Sequence, residues 1–225
     1  MKKITQNYFL DIIVIIVGIS ISFYLEKQSA LAYKEELKNQ SLNRVLKNIN
    51  IDHDDFIFNK TTHEKALNSI NWIYKNKDSL KKFSLDSIGY HLSMAIYCNT
   101  VFVDNQEEYR GIQNSGLIEL IENEKVVEML QNKYIRHEFI KKIEGFLNDK
   151  AVLDDYFIRN TTYSPELEVF KGFVKPSTMN HKNIEHHIIQ KLLQKRSLHE
   201  FYLYNVDYQI GKDSSLVKEI KKEIN

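Results

Sequence analysis

Apolar and polar positions alternate in two different ways along this chain. Residues 8–25 read YFLDIIVIIVGISISFYL, apolar on every side of a helix, with Asp11 as the one charge in the run. A surface helix would carry a single apolar stripe instead. At 1.5 Å per residue the run is about 27 Å long, close to the roughly 30 Å hydrocarbon core of a bilayer. Tyr8–Phe9 and Phe23–Tyr24 flank it where interfacial aromatic belts belong. The pattern predicts a membrane-spanning helix over 8–25, a tail over 1–7 and a separate domain over 26–225.

Beyond residue 25 apolar residues return at helical spacing. Leu37, Leu42, Val45, Leu46 and Ile49 form an amphipathic stripe that continues the spanning helix into water. Ile70, Trp72, Ile73 and Tyr74 mark a helix over 69–74, and 76–79 (NKDS) reads as a turn. A helix follows over about 86–98 with Ile88, Leu92 and Ile96 on one face, then an extended linker over 99–104 (NTVFVD). Residues 106–116 predict a short helix stopped by Gly116, and 117–121 start the next element. One long helix is expected over 124–159 and another over 183–210, with Ile184, Ile188, Leu192, Phe201 and Tyr208 on its broad face. Gly211 should end the latter, with Asp213 or Ser214 capping a last helix that carries Leu216, Ile220 and Ile224. Residues 160–180, which hold both prolines, Pro165 and Pro176, are the least regular stretch.

Composition sharpens the class. Two prolines and seven glycines in 225 residues favour long helices, and no strand-like alternation is sustained. The expectation is an all-α fold, an N-terminal transmembrane helix continuing into an antiparallel helical bundle. The 13 Tyr and 12 Phe would fill its core. With 31 basic against 30 acidic residues there is no basic excess to release counterions, so no nucleic-acid partner is expected. The single cysteine, Cys98, excludes an intrachain disulfide and reads as a buried thiol. The mean hydropathy of −0.41 divides into an apolar anchor and a hydrophilic domain.

Two alternatives to a retained span stay open: a signal peptide with Met1-Lys2-Lys3 as its basic region and Ala30-Leu31-Ala32 as its cleavage pattern, and a buried soluble helix. Lys2 and Lys3 before the span nearly balance Lys27, Lys34 and Lys38 after it. A short basic tail before a first helix favours a cytoplasmic N-terminus, hence a large domain that faces outward. Asp11 lies near the start of the span, where the helix dipole and headgroups tolerate a carboxylate; alternatively it meets a partner helix. Gly18 and Ser22 are a small-xxx-small pair that permits close helix approach. Asp11, Gly18 and Ser22 are therefore the candidate contacts, to a second copy or to another membrane protein within the lipid bilayer.

Chemistry is harder to find. Eight histidines invite a metal, yet His186 and His187 are adjacent and point about 100° apart, with His181 nearby, and His137-Glu138 does not extend to H-E-x-x-H. Asp52-His53-Asp54-Asp55 is denser and reads as a solvated turn. Lys81-Lys82, Lys141-Lys142, Lys195-Arg196 and Lys221-Lys222 read as solvated faces. No nucleophile elbow, phosphate-binding loop or dinucleotide fingerprint is present, and no cofactor is expected.

Asp11, the aliphatic run to Gly18, Ile19, and a charged helix carrying Glu35-Glu36-Leu37 and Leu46 resemble a group of uncharacterised single-pass membrane proteins from Bacteroidota. Asn114-Ser115-Gly116-Leu117-Ile118-Glu119-Leu120-Ile121, preceded by Tyr109 and followed by Met129-Leu130 and Tyr134, is similar to that group's second block. Ser20 and Ser22 depart from it, as does the absence of a tryptophan–asparagine end to the span. The resemblance covers about a third of the chain and implies a retained anchor and an all-helical domain, with no reaction and no functional residue. The leading expectation is thus a non-enzymatic, membrane-anchored interaction or sensory module in a membrane complex. The alternatives are a metal-dependent hydrolase using Asp52, His53 and Asp55 or His186 and His187, and a cytoplasm-facing subunit of a transport or defence machine.

Overall fold

The computed structural model describes residues 2–164, 174 and 177–224, with the helical backbone alone for 2–10. Pro165 and Pro176 lie outside the described residues, as do the side chains of Tyr8 and Phe9. The chain is mostly helical. Helix α1 runs over Lys2–Asn76, 75 residues without a break and about 110 Å long. No proline interrupts it and Gly18 is its one glycine, so the expected separate helix over 69–74 is simply its last turns. After a turn come α2 (Leu85–Tyr97), α3 (Glu107–Asn114), α4 (Glu124–Asn148), α5 (Ala151–Asn160) and α6 (His186–Ile224). Short 3-10 turns cover Leu80–Lys82 and Leu117–Leu120.

Local chemistry explains the ends. The Ser84 hydroxyl accepts from Ser87 N at 3.1 Å and caps α2, and the Asn123 side chain accepts from Lys125 N at 3.1 Å to start α4. Gly116 takes φ +72°, the left-handed stop after α3 that only glycine adopts without strain.

Two expectations fail for reasons outside their own segments. The helix expected over 124–159 breaks at Asp149 and Lys150. There α5 turns towards α2: the Tyr97 hydroxyl donates to Asp154, and Lys150 Nζ lies 4.8 Å from the centre of the Tyr97 ring. Gly211 does not end a helix, since α6 continues to Ile224. A helical glycine costs about 1 kcal/mol, and packed residues on both sides of it outweigh that. Residues 160–180 hold a small antiparallel ladder, β1 (Thr161–Tyr163) on β2 (Ser177–Met179), with Thr162 opposite Thr178.

Packing is organised by one spacing. The buried face of α1 advances through Lys38, Leu42, Val45, Ile49, Asp52, Phe56, Asn59, His63, Ala66, Ile70 and Ile73. These steps alternate four and three, the heptad seam of helices that wind around one another. In α4 the same steps run from Val126 and Leu130 through Lys133, His137, Ile140 and Glu144 to Leu147. In α6 they run from Ile188 through Leu192, Lys195, His199, Tyr202, Val206, Gln209, Asp213 and Leu216 to Ile220. Phe201 and Tyr208 fall off that seam and are half exposed. Helix α6 packs along both α1 and α4. Lys38 meets Glu223 and Lys60 meets Asp207, so α1 and α6 run in opposite directions; Lys125–Glu219 and Arg136–Asn205 show the same for α4 and α6.

Apolar clusters occupy the two ends. One joins Ile70, Ile73, Ile88, Leu92, Phe157 and Ile188; the other joins Leu42, Ile49, Ile112, Leu130, Leu216 and Ile220. Between them, around Phe56, Phe102, Tyr202 and Val206, polar groups concentrate. Helix α2 meets β2 so closely that a Cβ on Gly89 would stand 2.2 Å from the Ser177 carbonyl oxygen and 2.8 Å from Thr178 Cα. Gly89→Ala is therefore expected to cost about 1–3 kcal/mol by overpacking against backbone that has to move. Hydrogen exchange checks this: amides of 177–180 should lose protection before those of α6.

Candidate functional site

The polar middle begins from an accounting problem. Residues 98–106 carry no regular structure, yet Thr100 and Phe102 are buried among the long helices. An extended segment inside a protein must find acceptors for its amides. They come from the helix seams: Phe102 N donates to Glu144 Oε1 at 2.7 Å, Val103 N to Asp55 Oδ2 at 3.0 Å, and Asn105 N to Asp52 Oδ1 at 3.0 Å. Phe102 stacks on Phe56 at 4.1 Å between centroids and meets the His137 ring edge-on. The cluster at 52–55 is thus no solvated turn. Asp52 is fully buried in mid-helix, Asp55 is half buried, and His53 is exposed.

Lys133 holds the centre. Its Nζ lies 3.0 Å from Asp52 of α1, 3.0 Å from Asp213 of α6 and 3.0 Å from His137 Nε2. Two of these contacts, to His137 and Asp213, are hydrogen bonds from the ammonium group. The contact to Asp52 Oδ2 is an ion pair without a well-directed hydrogen bond. Gln209 donates to Asp213 Oδ1 at 2.8 Å. On the far side of His137, Asp104 receives Lys141 Nζ at 2.6 Å and His137 Nδ1 at 3.4 Å. Burial raises the Asp104 carboxyl, and the bonds from His137 and Lys141 overcome this and hold it at about 2. Burial keeps His137 neutral, against the pull of Asp104.

Farther along the seam the imidazoles of His63 and His199 face each other, Nδ1 to Nδ1 at 3.0 Å, one donating and one accepting. His63 stacks on Tyr202 at 3.9 Å, and the Tyr202 hydroxyl donates to Glu144 Oε1 at 3.0 Å. Among the described residues, His199 Nε2 and Glu144 Oε2 are buried with no hydrogen-bond partner. Burial lowers His63 to about 4, lowers His199 well below its ordinary value, and raises Glu144 to about 7. Lys195, expected on a solvated face, is buried, donates to the Ile96 carbonyl, and is pushed down to about 7 by burial and then by the Lys150 charge. Cys98 is fully buried, donates to the Thr62 carbonyl and is raised to about 11 by burial. That thiol is neutral and shielded, not a nucleophile.

A cleft opens onto this core from outside, between α4 and α6, with a volume of about 730 Å³. Lys133, Gln209 and Asp213 form its floor; Met129, Ile135, Phe139, Tyr208 and Leu216 supply apolar wall. Arg136 sits near the Phe139 and Tyr208 rings, 5.6 and 5.0 Å from their centroids, and donates to Asn205 at 2.9 Å.

The membrane candidates lie elsewhere. Asp11, Gly18 and Ser22 fall on one face of α1, exposed and clear of the packed body. Gly18 and Ser22 share a shallow groove with Ile15, Ile19, Phe23 and Glu26, and a Cβ on Gly18 would meet nothing within 4 Å. The Ser22 hydroxyl donates to the Gly18 carbonyl at 2.9 Å, so it needs no partner outside its helix. His186 and His187 are exposed, the latter 3.3 Å from Glu185. Among the described residues no three His, Cys, Asp or Glu side chains converge as a metal-holding group. Lys133, His199 and Gln209 give no signal in a purely apolar stripe, and Lys195 and Asp213 read there as a solvated face and a helix cap; the alternation of four and three places all five on the seam. The chain matches no family model, no curated protein and no solved structure.

Proposed function

We propose that this chain is a membrane-anchored, non-enzymatic sensory or interaction module of a membrane complex. Residues 8–25 cross the bacterial inner membrane, 1–7 lie in the cytoplasm, and the rest forms an antiparallel helical bundle in the periplasm. The observation that carries this reading is α1 itself. Its apolar window is 0% buried by the rest of the chain, yet the same unbroken helix supplies Asp52 and His63 to the polar core. A rigid helix shared by bilayer and core passes a change in core packing to the membrane, where the face of Asp11, Gly18 and Ser22 meets a second copy or another membrane protein. The resemblance to Bacteroidota single-pass proteins fits such a retained anchor.

The test is purification from native membranes in mild detergent. The unaltered protein should elute as a dimer or with a stable membrane partner. Gly18→Leu, which fills the groove without touching the packed body, should reduce that association about tenfold or more. A strictly monomeric, partner-free protein that Gly18→Leu leaves unchanged overturns the proposal.

A further inference from the structure

The α4–α6 cleft is asymmetric in charge. At one end Lys125 is neutralised by Glu219 at 3.3 Å, and Glu128 is exposed on the wall. On the floor Lys133 and Asp213 neutralise each other. At the other end Arg136 and Lys212 converge on one phenol ring, 5.0 and 5.3 Å from the Tyr208 centroid. Among the described residues neither is paired with a carboxylate. Arg136 is held by Asn205 and two aromatic rings, so its remaining N–H groups are oriented before any ligand arrives. Glu128 lies eight residues before Arg136 on α4, about 12 Å away along the axis, too far to serve as its counter-ion. Met129, Ile135 and Leu216 leave an apolar bed beside the cationic end.

We propose that this cleft binds a small organic anion, a carboxylate or phosphate ester with an apolar or planar body. The anionic head sits between Arg136 and Lys212, and the body lies against Tyr208, Phe139 and Leu216. Pre-oriented cations and an apolar bed are the make-up of small-molecule sites, and a cleft of this volume accepts a ligand of a dozen or more heavy atoms. The ligand comes from solution rather than from a lipid headgroup. Asp52, level with the cleft floor, stands 27 residues along α1 from Leu25, about 40 Å beyond the end of the span. This deepens the sensory role proposed above, because the floor belongs to the Asp52–Lys133–Asp213 group that ties α1 to α4 and α6.

The experiment is calorimetric titration of the full chain in phosphatidylcholine nanodiscs with 1-naphthyl phosphate, using empty nanodiscs as the blank. Saturable one-to-one binding is expected, weakened about tenfold or more in the Arg136→Gln/Lys212→Gln protein, whose substitutions, one half-buried and one exposed, lie off the seams. Inorganic phosphate and neutral 1-naphthol should each bind at least about tenfold more weakly than the ester. Absence of saturable binding, unchanged affinity in the double variant, or either half binding as tightly as the whole overturns the site. Binding as stated beside an unaffected Gly18→Leu protein retains the site and removes the membrane role. The reverse pair of results removes the site and retains the role.

Discussion

Lys133→Met should destabilise the packed domain by about 3–5 kcal/mol, a large part of the total stability of an ordinary domain. The methionine fills nearly the same volume, so the loss is electrostatic. It leaves the Asp52 and Asp213 carboxylates, 0% and 4% exposed, facing each other across three helices with no cation between them. Breaking a buried pair from one side is far costlier than never having it, because the remaining charge can neither reach water nor find a partner. The triple substitution Asp52→Asn, Lys133→Met and Asp213→Asn should recover most of the loss. An asparagine at 52 keeps the oxygen that accepts from Asn105 N and Nδ2, both at 3.0 Å. Thermal unfolding in nanodiscs checks both, with the single variant lowered on the order of 10 °C. A loss below about 1 kcal/mol in the single variant would mean that the three helices do not meet at Lys133.

Acid should loosen the same domain near its middle, beginning below pH 6.5. His63 is neutral in the fold, with its pKa lowered to about 4 mainly by burial, and the Lys195 charge acts in the same direction. His199 is also lowered well below its ordinary value, by burial, by His63 and by Lys195. An imidazole whose folded pKa lies below its unfolded value contributes full stability above about pH 6.5, and loses it as pH falls towards the folded pKa, because the unfolded chain takes up the proton first. For His63 alone the loss is about 3 kcal/mol by pH 4. Glu144, reached through Tyr202, works in the opposite sense. Its pKa is raised to about 7, so the folded chain takes up that proton first and gains about 3 kcal/mol as pH falls from 7 to 4.5. The lowered histidines, His63 and His199 together with His91 and His137, outnumber the one glutamate and leave a net loss. Lys195, lowered to about 7, is already protonated in both states across most of this window. Unfolding by urea as a function of pH should therefore show stability falling from pH 6.5 to 4. The fall should steepen in Glu144→Gln and flatten in the His63→Phe/His199→Leu double variant. A profile identical in all three proteins would separate the acid response from this cluster.

The seam shows why some of this was legible and some was not. Counting Leu42, Val45 and Ile49 alone, the stripe of α1 stops before residue 52, and Asp52-His53-Asp54-Asp55 reads as surface. Counting every fourth and third residue whatever its polarity, the same stripe runs to Ile73. Lys195 and Asp213 of α6 are hidden in the same way. A lysine or aspartate is bland in isolation, and its burial becomes affordable when opposite charge arrives from another helix. That arrival is not a local property. Lys133 and Asp213 are 80 residues apart in the chain, and His63 and His199 are 136 apart. Charged residues on the seam also fix register, since sliding α6 past α1 by one turn would leave each of them facing an apolar layer.

What the residues determined by themselves is what neighbours in the chain decide. The proline-free run fixed the helicity of α1; the Ser84 cap and the left-handed Gly116 set where α2 starts and α3 stops; and all-round apolarity set a segment over 11–25 that nothing among the described residues covers. Tertiary structure decided the remainder. It broke the helix at Asp149, carried α6 through Gly211, drew residues 98–106 between helices whose carboxylates accept their amides, and left a cationic cleft between α4 and α6. The physical reason is the range of the forces. Backbone propensity and capping act within about one helical turn, whereas the free energy of a buried charge depends on what lies within a few ångströms in space, from any part of the chain.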